Sequence, residues 1–279
     1  MDLRLDTRLA SSRPRIEKAV AVVSGKGGVG KTNLVANLAV AAARLDARVL
    51  AVDGDLSLAN VDVLLGLVPR HTLADVLEGH CRLDEAILRG PDGVHLLPAS
   101  AARPELATLP GSVLDSLAKP IAEAARSYDL VLVDGGAGIG PTVVGLADLC
   151  DRILVVTTPE PTSLADAYAT VKVLAQQTSR REVEVLVNAS RTTREAHECF
   201  DHLRRLADRF LGLELRHFGS LPHDTRLSEA VSRQRAVVDL YPNAPSSKRL
   251  VSLAQRLLDR QSGGRGASAE GWRRLELSP

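Results

Sequence analysis

Aromatic side chains are scarce: three Phe, three Tyr and one Trp amount to 3% of 279 residues. A core without them has to be assembled from Val, Leu, Ile and Ala. The three cysteines, Cys81, Cys150 and Cys199, are far apart and odd in number. That excludes a disulfide framework and a cysteine metal site, suits a reducing cytosol, and leaves each thiol to act as a small buried hydrophobe. The seven histidines are scattered and form no H-E-x-x-H set, which disfavours zinc chemistry. Excess charge of one sign is also missing. A formal net charge of +1 removes any global argument for nucleic acid, although a local basic patch stays open. No apolar run approaches the roughly 20 residues of a membrane span. The first residues, Met1-Asp2-Leu3-Arg4-Leu5-Asp6, lack the apolar core of a signal peptide. A cytoplasmic protein is expected.

What is present is an alternation of short apolar strands and helical patterns. Ala19 to Val23, Arg48 to Val52, Val94 to Leu97, Leu130 to Val133, Ile153 to Thr157, Val183 to Val187 and Leu215 to Ser220 read as strands bounded by turn residues or Pro. Thr32 to Leu45, Ser112 to Ser127, Thr142 to Cys150, Ser163 to Gln177 and Arg194 to Phe210 repeat apolar residues at helical spacing. The pattern predicts an α/β fold of three layers, a mainly parallel twisted sheet with helices on both faces. It spans one domain, residues 19–260, after an N-terminal extension, 1–18, and before a tail, 261–279, whose Ser262-Gly263-Gly264-Arg265-Gly266-Ala267-Ser268 has linker composition.

Between the first strand and first helix stands Gly25-Lys26-Gly27-Gly28-Val29-Gly30-Lys31-Thr32, a phosphate-binding loop of the form G-x-x-x-x-G-K-[ST]. Glycines let backbone N–H groups curl around phosphate oxygens, Lys31 reaches the outer phosphates, and the Thr32 hydroxyl ligates magnesium. The helix N-terminus adds its dipole. Lys26, directly after the first glycine, is a second lysine that the loop frame does not require.

In parallel sheets ligands sit at the carboxyl ends of strands, and chemistry-bearing residues recur there. The second strand runs into Asp53-Gly54-Asp55. Either carboxylate could assist magnesium or hold a water in line with a terminal phosphate, and either could instead cap the next helix or turn. The strand Leu130 to Val133 ends in Asp134-Gly135-Gly136-Ala137-Gly138, the Walker B arrangement, whose carboxylate would hold magnesium through water. Asn188 offers an amide suited to the edge of adenine, and Leu221-Pro222-His223-Asp224 could clamp the base from the other side. His223 receives no role from its position.

Together these residues resemble the deviant-Walker ATPases of the MinD/ParA group, whose loop reads K-G-G-x-G-K-[ST]. The resemblance runs from about residue 19 to 260. It implies ATP and Mg2+ as ligands and a nucleotide-sandwich homodimer in which Lys26 reaches the phosphates bound by the partner. It makes Asp55 the water-orienting residue, Asp53 a magnesium assistant and Asp134 the Walker B acid, and places Asn188, Pro222 and Asp224 against adenine. Asp55-Leu56-Ser57-Leu58-Ala59-Asn60-Val61-Asp62-Val63-Leu64-Leu65-Gly66, His71 to Gly79 and Arg233 to Ser247 are most similar to the flagellar-number regulators of the FlhG/FleN type. The chain departs from the group at Asn33, where many relatives carry a second Thr, and at Gly135, where Thr or Ser is usual. Its first 18 residues lack the D-Q-A-x-x-L-R segment through which FlhG proteins stimulate the GTPase FlhF.

The resemblance implies an ATP-hydrolysing dimerisation switch that sets the number or placement of flagella or another polar structure through a protein partner. A partition ATPase that uses DNA as its surface, and a low-turnover nucleotide-binding regulator of a transcription factor, share the same site. The C-terminus bears on the surface used. Leu250, Ala254, Leu257 and Leu258 share a helical face that is expected to pack on the domain rather than on lipid. Residues 245–279 carry seven Lys/Arg against three Asp/Glu. That excess suits peripheral contact with anionic lipid, less favourably DNA, and equally a solvated tail.

Overall fold

The computed structural model describes residues 15–55, 60–99, 111–178 and 182–262. The segment 56–59, most of the expected N-terminal extension and the tail from 263 onward, with Trp272, lie outside the described residues. Eight strands form one sheet: β1 (Ile16–Ser24), β2 (Val49–Asp53), β3 (Leu88–Arg89), β4 (His95–Leu97), β5 (Leu130–Ala137), β6 (Cys150–Thr157), β7 (Glu182–Ser190) and β8 (Glu214–Pro222). Their order is β3-β4-β2-β5-β1-β6-β7-β8. Every pairing is parallel except the short antiparallel contact of β3 with β4.

Strict alternation along the central strands explains the layers. Ala19, Ala21 and Val23 of β1, with Val131 and Val133 of β5 and Ile153 and Val155 of β6, face one apolar core. Val20 and Val22, Leu130 and Leu132, and Leu154 and Val156 face the other. Strands buried on both sides read as continuous apolar runs, which is why they stood out in the sequence. The first core is covered by α5 (Gly111–Ala125), α6 (Pro141–Leu149), α7 (Pro161–Gln177) and α8 (Thr193–Leu211). The second lies under α1 (Lys31–Ala43), α2 (Val61–Leu64), α9 (Thr225–Ser232), α10 (Val237–Leu240) and α11 (Pro245–Ser262). Two further short helices, α3 (Leu73–Leu77) and α4 (Leu83–Ala86), lead into β3.

The expected strands and longer helices are all found, with ends displaced by a few residues. The short β3 and the helices α2, α3, α4, α9 and α10 carry too few residues for periodicity to reveal. On α11 the apolar face is spent on the domain: Leu250, Leu253, Ala254 and Leu257 are fully buried against the α1 layer. A network at the opposite end of the sheet from the phosphate loop anchors the last turn of α11. Glu184, 7% exposed, accepts from Arg152 and Arg260, and Gln261 Nε2 donates to the Lys18 carbonyl at 3.0 Å. Among the described residues no helix is long and apolar enough to cross a membrane.

The late segment Arg233 to Ser247 is seated on α1 by polar contacts. The Val237 N–H donates to Asn37 Oδ1 at 2.7 Å and Arg44 Nη1 donates to the Val238 carbonyl at 2.7 Å, while within the segment Ser247 Oγ donates to the Val237 carbonyl at 3.1 Å. Asn37 supplies the cap that the α10 N-terminus lacks locally, since Ala236 at its N-cap has no side chain able to do so.

Truncating Leu257 to Ala opens a cavity between α11 and the sheet. The expected outcome is a loss of about 2–5 kcal/mol of unfolding free energy, read as a lower urea midpoint with an unchanged slope.

Candidate functional site

The order of strands places the site. From β1 the chain runs through α1 to β2 on one side, and from β5 through α6 to β6 on the other, so β1 ends at the point where the winding reverses. The loop Gly25 to Gly30 leaves β1 there, with Gly28 at φ 80° and Gly30 at φ 91°, backbone that side-chain-bearing residues adopt at a cost. Gly25 is held for a different reason: a Cβ on it would lie 2.2 Å from the Asp166 carbonyl oxygen of α7. Gly30 is the N-cap of α1, which has no side-chain cap and no acidic residue in its first turn. The dipole and the first N–H groups of α1 are therefore left to an anion.

Three carboxylates and one ammonium converge beside this loop. Asp53 and Asp134 are register partners on the adjacent ends of β2 and β5, 1% and 0% exposed. Glycine makes the approach possible: the Gly54 N–H donates to the Asp134 carbonyl at 2.8 Å, and a Cβ on Gly54 would sit 2.7 Å from that oxygen. Burial first, and then the neighbouring Asp134 charge, push the Asp53 carboxyl up to about 7. Three backbone N–H groups oppose this: Asp53 Oδ1 accepts from Asp55 at 3.1 Å, and Oδ2 from Asn60 at 3.0 Å and Val61 at 3.1 Å. Asp53 thus ties the loop after β2 and the start of α2, the capping role that the sequence left open, while standing against Asp134.

Asp134 is likewise held above the usual carboxylate range by burial, with the facing Thr32 hydroxyl and Lys31 ammonium favouring its ionised form. Its Oδ1 accepts weakly from the Gly136 N–H at 3.4 Å, and Oδ2 is buried with no hydrogen-bond partner among the described residues. Lys31, 6% exposed, is lowered by burial and supported by Asp134 and Asp55. Asp55 lies against Gly136, whose absent Cβ would be 3.4 Å from Asp55 Oδ2. An orphaned buried carboxylate oxygen, a second buried carboxylate and an adjacent hydroxyl form an oxygen donor set suited to a hard divalent cation such as Mg2+.

Lys26 points elsewhere. Its Nζ donates to Glu160 Oε2 at 3.0 Å and to Thr162 Oγ1 at 3.2 Å, and its side chain is 39% exposed. Glu160 and Thr162 stand where β6 passes into α7, a strand end like those that drew attention to Asp53 and Asp134; the same rule applied to β6 would have found them.

Of the residues expected against adenine, Asn188 touches the loop, and both Asn188 and Asp224 have part of their polar capacity engaged by the protein. Asn188, 7% exposed, donates from Nδ2 to the Val29 carbonyl at 2.8 Å, and its Oδ1 accepts the Ala189 N–H at 2.9 Å. Asp224 caps α9 by accepting from the Arg226 N–H at 3.0 Å, and its other oxygen accepts Ser246 Oγ at 2.6 Å and Ser246 N–H at 3.1 Å. Burial alone would raise its carboxyl, but these bonds hold it below the usual range. Pro222 closes β8 opposite Ser190 of β7, and His223 is exposed, touching β7 through its backbone N–H to the Ser190 carbonyl at 2.8 Å.

A glycine-rich loop feeding a helix N-terminus from a central strand of a mainly parallel sheet, with buried acids where the next two strands on one side, β5 and β2, run out, defines a nucleotide-binding protein of the phosphate-loop class. The chain belongs to the CobQ/CobB/MinD/ParA nucleotide binding domain family, whose pattern matches residues 20–237. It is 40% identical over 240 residues to the antiactivator FleN of Pseudomonas aeruginosa, covering 86% of each chain. It is 30% identical over 250 residues to the flagellum site-determining protein YlxH of Helicobacter pylori, covering 88% of this chain and 84% of that one. Among solved structures, the septum site-determining protein MinD of Pyrococcus horikoshii, complexed with Mg-ADP, superimposes with a TM-score of 0.72 at 27% identity, covering 88% of this chain and 98% of that one.

Gly135, at the position where the sequence resemblance leads to the expectation of Thr or Ser, has a local cause here. A Cβ would lie 2.6 Å from Val23 Cγ1 and 3.2 Å from the Val22 carbonyl oxygen of β1. Gly135→Thr is expected to destabilise the protein by about 1–3 kcal/mol in thermal or urea unfolding. Gly140→Ser, at an N-cap with nothing within 4 Å of its Cβ position, serves as the control and stays within about 0.5 kcal/mol.

Proposed function

We propose that the protein is an ATP-hydrolysing dimerisation switch, with residues 19–260 as its catalytic domain, that sets the number or placement of flagella. The observation that carries the reading is the division of the two lysines. Lys31 is buried beside Asp134 and Asp55, whereas Lys26 of the same loop is held at the surface by Glu160. One cation serves the chain's own pocket, and the other is free to exchange Glu160 for the phosphates of a second copy. An ion pair this exposed contributes roughly 0–1 kcal/mol, so leaving it costs little. The names carried by FleN and YlxH support the flagellar role, and the Mg-ADP complex of MinD supports the ligands.

In this reading Gly25 to Gly30 and the first turn of α1 cradle the phosphates, Lys31 reaches the outer ones, and Thr32 with Asp134 holds Mg2+ while Asp53 supports the set from the protein side. Magnesium, when bound, neutralises charge between the phosphates and lowers the repulsion between the two buried acids. Asp55 orients the attacking water in the space above Gly136. Its carboxylate accepts a hydrogen bond from that water and aims an oxygen lone pair at the terminal phosphorus. Lys26 of a second copy offsets the charge that develops as the terminal phosphoryl group leaves, as an arginine finger does in trans, so hydrolysis depends on the dimer. A partner protein then reads the dimer; the antiactivator name of the Pseudomonas relative makes an activator protein the first partner to test.

Sedimentation with Mg2+ and ATP is expected to give dimers that vanish in Lys26→Ala, and an ATP-independent mass would refute the switch. Asp55→Ala is expected to retain ATP-dependent dimers while hydrolysis falls about 100-fold or more, on the scale of losing one preorganised catalytic contact. Equal rates in Asp55→Ala and the wild type would remove Asp55 from the chemistry. Mg2+ with ADP should raise the thermal midpoint of the wild type, and Asp134→Asn should abolish the Mg2+-dependent part of that rise.

A further inference from the structure

Asn188 lies near the end of β7, two strands from β1, yet its amide reaches back under the phosphate loop to the Val29 carbonyl. The bond is 2.8 Å long and buried, and it is made at the one loop residue whose side chain is sunk in the apolar core, Val29 at 4% exposure. A carbonyl anchored there cannot turn to water, so without Asn188 it would be left buried and unsatisfied. The other side of the amide is also fixed. Oδ1 accepts the N–H of Ala189, which holds φ 54°, a left-handed conformation that a residue with a Cβ adopts only when its surroundings impose it. Gly30 completes the fit: besides its φ of 91°, a Cβ there would lie 2.5 Å from Asn188 Nδ2.

Strained backbone at 189, a buried amide and a glycine with no room for a side chain form one joint between β7 and the loop. A phosphate loop has to hold several N–H groups aimed at one point, an arrangement with mutual dipole repulsion and a high ordering cost when the loop is bare. We infer that Asn188 is a positioning residue that preorders the phosphate loop before nucleotide arrives, so that it acts on phosphate affinity whatever the base. This rests on the loop being the nucleotide site. It is distinct from a base-reading role, for which the amide keeps a second N–H and a second oxygen lone pair, and the two roles predict different ligand dependence.

The test compares binding of Mg2+-ATP, Mg2+-GTP and inorganic tripolyphosphate by calorimetry in the wild type, Asn188→Ala and Asn188→Asp. Asn188→Asp keeps the size and the acceptor for Ala189 but turns an oxygen toward the Val29 carbonyl; Asn188→Ser carries the comparison should Asn188→Ala not fold. The expected result is a loss of affinity by one common factor, about 5- to 100-fold, for every ligand the wild type binds. In nucleotide-free protein, amide hydrogen exchange at Gly27 to Lys31 should quicken in the variants while the amides of β1 and β6 keep their rates. A loss confined to ATP, with GTP and tripolyphosphate unaffected, would overturn the inference in favour of base reading, and so would unchanged loop exchange. If the wild type binds none of the three ligands, the nucleotide reading falls, and the exchange rates still decide the joint.

Discussion

Two carboxylates buried side by side set the terms for the rest of the structure. Asp53 and Asp134 are paired in register at the ends of β2 and β5, both essentially without solvent. Such a pair is unfavourable unless positive charge and hydrogen-bond donors gather around it. The fold supplies both: Lys31 from the first turn of α1, three backbone N–H groups on Asp53 and one on Asp134. Even so, one oxygen of Asp134 has no hydrogen-bond partner among the described residues, the feature on which the proposed cation site rests. Stability and ligand binding are thereby linked through the same atoms.

The floor of this site is backbone. Gly54 and Gly135 allow β2, β5 and β1 to end closer together than side chains permit. With Gly136 open beside Asp55, everything chemical approaches from above the strand ends. This explains why the residues of interest sit immediately after apolar runs and why they are interspersed with glycine.

Much of this was legible in the sequence, for a physical reason. Doubly buried strands such as Val20 to Val23 and Leu130 to Val133 must be apolar at every position, and a sharp change to Gly or Asp marks where the sheet stops. The loop, Lys31, Asp53, Asp55 and Asp134 follow from that punctuation. What was hidden is what crosses the molecule. The pairing of Lys26 with Glu160 joins residues 134 apart, and that of Asn188 with Val29 residues 159 apart. Asp224 to Ser246 spans only 22, but couples the start of α9, too short for periodicity to reveal, to the start of α11. Polar side chains at strand ends advertise their chemistry but not their partners, and for Asn188 and Asp224 the partners proved to lie within the protein as well.

The contact of Asn37 with α10 has a mechanical meaning. Asn37 lies five residues along α1 from Thr32, a rise of about 7.5 Å, and a short helix behaves over that length as a rigid shaft. One end of the shaft touches the phosphate pocket, and the other holds the first N–H of α10, with Arg44 gripping the next carbonyl further along. Any tilt of α1 would carry the segment that begins α10 with it, because both hydrogen bonds are made to side chains of that helix and its C-terminal end.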